Sequence, residues 1–212
     1  MTKERIPAGE YNNIGIYDVA VSDISLNGTA FECMAFSGYR RVGCGDVYLS
    51  LREKASVPQE WGTPYLVLRQ EDVPFHNRPD SPHFEWGLEG AKILQLADDA
   101  FLMIGVCFLE RDKSYSGTRQ RVFFAAASSP GGPYSPMYMP IDPTQYGDGQ
   151  GENGHPDIID LGNYVGILYQ ERAGDFKPWH LRYVEMTKDD LKREIHSHLR
   201  VKSIAQNRPL AP

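Results

Sequence analysis

Three polar residues of this chain stand at the head of short apolar runs. Asp18 precedes Val-Ala-Val, Glu89 precedes Gly-Ala-Lys-Ile-Leu, and His155 precedes Pro-Asp-Ile-Ile. They recur roughly 70 residues apart. Two carboxylates and an imidazole can perform general acid–base chemistry once a fold brings them together. A protonated carboxyl group donates to a leaving oxygen, and a second carboxylate nearby keeps it protonated by like-charge repulsion. Nothing local joins residues so far apart in sequence. The elements behind them must do it.

Those elements read as strands. Apolar residues alternate or run in short blocks instead of recurring at helical spacing, and 20 glycines and 15 prolines punctuate them. A first unit holds Tyr17–Val21, Phe31–Ser37, Asp46–Arg52 and Tyr65–Arg69, with Asn27-Gly28 as a hairpin turn. A second holds Ala91–Leu96, Phe101–Leu109, Arg121–Ser128 and Met137–Pro140. A third holds Asp157–Asp160, Tyr164–Gln170, His180–Glu185 and Leu199–Ile204. Four strands repeated at this period are the content of propeller blades, whose innermost strands meet at one axis. Asp18, Glu89 and His155 are then expected to converge in one cavity. The expectation is an all-β, propeller-type domain over residues 1–212, in three four-stranded units (about 14–70, 86–140 and 152–205). One short C-terminal helix is expected over Thr187–His196, opened by a threonine cap and acidic first-turn residues.

Composition narrows the partners. A net charge of −6 argues against nucleic acid and suits a neutral ligand such as a sugar. No apolar run is long enough to span a bilayer, so no membrane partner is expected. The N-terminus lacks the apolar stretch of a signal peptide, which with Cys33, Cys44 and Cys107 at no metal-ligand spacing makes a reducing cytoplasm the expected location.

Three segments carry a resemblance: Trp86-Gly-Leu-Glu89-Gly-Ala-Lys-Ile, then Ala126-Ala-Ser128-Ser-Pro130-Gly-Gly-Pro133-Tyr134, then Gly151-Glu-Asn-Gly154-His155-Pro-Asp. In order and spacing, residues 17–185 resemble the five-bladed propeller glycosidases of glycoside hydrolase family 43 and its relatives. The resemblance implies hydrolysis of a glycosidic bond in an arabinose-, xylose- or related sugar-containing saccharide. It implies Glu89 as general acid and Asp18 as the aspartate that tunes it. His155 matches the axial histidine, which in relatives often helps to hold a pore metal, commonly calcium; no cofactor is otherwise required. Trp86 is placed to stack on a sugar face, and Arg40 and Arg172 to bind hydroxyls. Glu85 competes with Glu89 for the acid role, as Asp23 and Asp46 compete with Asp18. Trp61 and Trp179 are expected to pack between blades, and His196 and His198 to lie on a solvated face.

Two departures stand out. No residue matches the family's general base, whose blade would precede Asp18, and about three blades are present instead of five. The alternative is therefore a non-catalytic carbohydrate-binding or assembly module. A second polypeptide or a second copy of the chain would complete the propeller.

Overall fold

The computed structural model describes residues 15–41, 44–55, 60–76, 87–110, 118–141, 151–174 and 177–206. Three antiparallel sheets follow one another along the chain, each built by neighbouring strands in sequence. The first sheet is β1 (Gly15–Leu26), β2 (Thr29–Arg41), β3 (Cys44–Glu53) and β4 (Tyr65–Leu68). The second is β5 (Glu89–Ala97), β6 (Ala100–Glu110), β7 (Thr118–Ala127) and the two-residue β8 (Ser135–Pro136). The third is β9 (Glu152–Asp160), β10 (Tyr164–Arg172) and β11 (His180–Thr187), and helix α1 (Lys188–Gln206) follows it. This is the all-β, blade-by-blade plan expected from the repeat. Asn27 and Gly28 both take positive φ (51° and 81°) in the first hairpin, the backbone such a tight turn requires.

The middle blade shows why its strands read as unbroken apolar runs. Along β6, Phe101 and Met103 face the first blade, where they pack with Cys33, Val47 and Leu49. Leu102 and Ile104 face the other way, into a second core shared with Val165 and Ile167 of the third blade. A strand buried on both faces has no position for a polar residue. Cys33 and Cys107 are buried free thiols in these strands, and burial pushes the Cys33 thiol up to about 12.

Two strand expectations are corrected. Leu199–Ile204 is helix, not a fourth strand, so the third blade has three strands and α1 runs to Gln206. Leu191 and Ile195 are fully buried and Leu199 packs beside them, spaced four apart, which lines one helix face against the second core. The Thr187 hydroxyl accepts the Asp190 N–H at 3.3 Å and opens that helix. In the second blade the outermost strand is Ser135–Pro136, ahead of the expected Met137–Pro140. Its pairing continues through Tyr138, whose carbonyl accepts the Phe124 N–H at 2.8 Å.

Candidate active site

The innermost strands β1, β5 and β9 share a bulge at the same place, and β5 has a second register slip between Gln95 and Ala97. Register slips between Tyr17 and Ala20 on β1, between Glu89 and Lys92 on β5, and opposite Leu168–Gln170 on β9. Each slip holds one residue in the left-handed region: Asp18 at φ 52°, Gly90 at φ 61° and His155 at φ 46°. A bulge with a left-handed residue re-aims the side chains around it and bends the strand. The repeat is therefore preserved down to single residues, but its register differs from the expected one. Gly90, not Glu89, is the counterpart of Asp18 and His155. Glu89 is the residue immediately before the bulge.

Gly90 is where the three blades meet. Its N–H donates to Asp18 Oδ2 at 3.0 Å, across from the first blade. A Cβ at Gly90 would lie 3.8 Å from Pro156 Cδ of the third blade and 3.7 Å from Val106 Cγ2. Asp18, Glu89 and His155 are thus brought to one region by one glycine. Glu89 is half-buried, Asp18 and His155 exposed. Beneath Glu89, the Phe123 ring comes to 2.9 Å of where a Cβ of Gly105 would sit, so a glycine is needed there for the ring to pack under the bulge.

The lower halves of the same strands are tied together too. The Ser25 N–H donates to Gln95 Oε1 at 2.7 Å, and Gln95 Nε2 donates back to the Ser25 carbonyl at 2.8 Å. Lys92 pairs with Asp157 at 2.7 Å, linking β5 to β9. Between these strands runs an open groove of about 620 Å³, lined in part by Ser22, Asp23, Leu94 and Asp160.

Other expected site residues are placed differently. Arg172 is ion-paired with the buried Glu152 and lies 4.8 Å over the Trp179 ring. Glu152 Oε1 also accepts the Gln120 N–H at 3.1 Å, and Asn153 Oδ1 accepts the Val122 N–H at 2.7 Å. Arg172 belongs to this polar seam between the second and third blades. Trp86, its neighbour Glu85 and the side chain of Arg40 lie outside the described residues. Of the competitors to Asp18, Asp23 is exposed and pairs with Lys54 at 2.7 Å. Asp46 is buried and accepts the Gln70 N–H at 2.9 Å. Neither reaches the bulges in these contacts.

Trp61 lies 4.5 Å beneath the Arg52 guanidinium. His196 meets Asp99 at 3.2 Å and His198 meets Ser135 at 2.8 Å, so both imidazoles dock α1 onto the second blade. Among the described residues no group of three His, Cys, Asp or Glu side chains could hold a metal ion. Sequence reading missed the Glu152–Asn153 seam. Its signal was two polar residues at a strand start, indistinguishable there from loop.

No family model matches the sequence, and no curated protein matches it. Solved structures do match its fold. A family 117 glycoside hydrolase from the marine bacterium Zobellia galactanivorans superposes with a TM-score of 0.56 at 14% identity, covering 88% of this chain and 56% of its own. A thermostable family-43 glycoside hydrolase gives 0.53 at 13% identity, covering 82% and 55%. The α-L-arabinofuranosidase of Lactobacillus brevis gives 0.53 at 14% identity, covering 82% and 53%. These are five-bladed propeller glycosidases, and the likeness is one of fold. The chain spans little more than half the length of these structures, consistent with three blades out of five.

Proposed function

We propose that this chain carries the acid-bearing part of a glycosidase site acting on an arabinose- or xylose-containing saccharide. The observation behind this reading is the hydrogen bond from the Gly90 N–H to Asp18 Oδ2, which holds one carboxylate next to the residue that follows Glu89. In this mechanism the protonated Glu89 carboxyl donates its proton to the glycosidic oxygen as the bond to the anomeric carbon breaks. The negative charge of Asp18 disfavours ionisation of a carboxyl group beside it and keeps the acid loaded. A further carboxylate must then activate water or attack the sugar from the opposite face. No residue of this sequence matches that base by position, and the structural neighbours have about two more blades on which it could stand. The proposed activity is accordingly that of the completed propeller, with His155 at its axis.

The test is turnover of arabino- and xylo-oligosaccharides by the wild type and by Glu89→Gln. Glutamine keeps the shape but cannot donate the proton, so turnover should fall by about 10²-fold or more. The unfolding midpoint should be unchanged. Equal turnover would remove Glu89 from the mechanism. Calorimetric binding of the oligosaccharides by a wild type without turnover would favour the carbohydrate-binding module instead.

A further inference from the structure

The first blade holds the backbone on both sides of Glu89, by two separate bonds. After Glu89, the Gly90 N–H donates to Asp18 Oδ2 at 3.0 Å. Before it, the Leu88 N–H donates to the Gly45 carbonyl at 2.9 Å. Leu88 precedes β5, and Glu89 opposite Val106 is the first pair of the β5–β6 ladder, so the blade's own pairing does not hold Leu88. The two blades meet there backbone to backbone: a Cβ at Gly87 would lie 2.2 Å from the Gly45 Cα and 2.3 Å from its nitrogen. The Leu88 side chain is fully buried in the first core, so Glu89 leaves this joint with little freedom.

Gly45 in turn is held by a side chain. It lies near the start of β3, opposite Tyr39 and next to a register slip in the β2–β3 ladder. Gln70, in the short 3-10 turn Gln70–Asp72, accepts the Gly45 N–H on Oε1 at 2.8 Å. The Gln70 N–H donates back to Asp46 Oδ1 at 2.9 Å, so residues 45–46 and Gln70 each supply the other with a donor. Gln70 is 2% exposed and Asp46 is fully buried. Water cannot replace an acceptor lost at such depth, which makes this joint costly to break.

We infer that Gln70 is a positioning residue for Glu89. Its carboxamide fixes Gly45, Gly45 fixes Leu88, and Leu88 sets where the Glu89 carboxyl stands. The first blade is then a clamp with two jaws, Asp18 on Gly90 and Gln70, by way of Gly45, on Leu88. This gives a task to two buried polar residues, Gln70 and Asp46, that the proposed reaction does not itself use. The catalytic meaning of this placement rests on the proposed function, whereas the placement itself is read without turnover.

The experiment is NMR of the full chain, with the Glu89 carboxyl carbon assigned by its loss in Glu89→Gln. Gln70→Met keeps the length of the side chain and removes the acceptor. The Gly45 and Leu88 amides should then exchange with solvent about ten-fold faster relative to the Val122 amide, which Asn153 holds in the other seam. The Glu89 carboxyl resonance should shift with them. Gln70→Glu keeps an accepting oxygen at the same reach, since burial favours its protonated form, and should restore both readings. Gln70→Asn, one methylene too short for Gly45, takes the place of Gln70→Met if that variant does not fold. An unmoved Glu89 carboxyl, an acceleration shared equally by Val122, or a Gln70→Glu variant as perturbed as Gln70→Met would overturn the inference. On the proposed reaction, Gln70→Met should lower kcat about ten-fold with KM held. A wild type without turnover would count against that reaction, and the Glu89 resonance would still decide the placement.

Discussion

Replacing Asp18 separates three contributions that the structure superimposes at one residue. Its carboxylate accepts the N–H of Gly90, the residue that follows Glu89, at 3.0 Å, its backbone sits at φ 52°, and it carries the charge that the proposed mechanism uses. Asn keeps an acceptor oxygen and tolerates the left-handed region, so Asp18→Asn should cost no more than about 0.5 kcal/mol. Gly relieves the backbone but loses the acceptor; the hydrogen bond is exposed, so its net worth is at the low end, about 0.5–1 kcal/mol. Ala loses the acceptor and adds a side chain at positive φ, a further 1 kcal/mol or so, for a total of about 2 kcal/mol. Urea unfolding followed by circular dichroism gives these differences directly, provided the three slopes agree. Equal destabilisation by Gly and Ala would refute the role of the bulge backbone. Asn as damaging as Ala would refute the hydrogen-bond account and place the stability in the charge. On the proposed reaction, Asp18→Asn should lower kcat at neutral pH although its unfolding midpoint is held, because only the charge that loads the acid is gone. An unchanged kcat would take Asp18 out of the mechanism.

Two further outcomes follow from the packing. A Cβ at Gly87 would lie 2.2 Å from the Gly45 Cα, a backbone atom held by the Leu88 N–H to Gly45 carbonyl bond at 2.9 Å. Gly87→Ala should therefore destabilise by about 2–3 kcal/mol, more than Gly90→Ala, whose contacts of 3.7 and 3.8 Å leave mainly the φ cost of about 1–2 kcal/mol; equal unfolding midpoints would refute this. Burial, with the nearby Lys202 charge, holds the His198 imidazole below its ordinary 6.5, so the unfolded chain takes up that proton first. The contribution is present in full above about pH 6.5 and is lost as pH falls through the folded value. Tm should drop more steeply between pH 7 and pH 5 in the wild type than in His198→Gln, and identical slopes would refute the linkage.

The strand plan was legible because each blade is made of consecutive strands joined by short turns, so local pattern and long-range pairing agree. Asn27-Gly28 announces its hairpin, and Tyr164–Gln170 lies wholly within β10 (Tyr164–Arg172). The C-terminal segment was misread for the opposite reason. Leu199 and Val201 alternate with Arg200 as a strand would, and only the buried stripe of Leu191 and Ile195, four residues apart, decides for a helix. The site was legible in part. Sequence order placed Asp18, Glu89 and His155 in successive units, but the one-residue offset that makes Gly90 the true counterpart is a matter of bulge geometry.

By itself the sequence determined that this chain folds as repeated β-units and that Asp18, Glu89 and His155 each fall on the first strand of a successive unit. Period-two patterning and turn chemistry are local, and each unit carries them independently. The tertiary structure alone decided that Asp18 reaches the Gly90 N–H and that Arg172 is engaged by Glu152. Those outcomes depend on how one sheet stacks on the next. Stacking is set by side chains contributed from units roughly 70 residues apart, a distance over which no local pattern carries information.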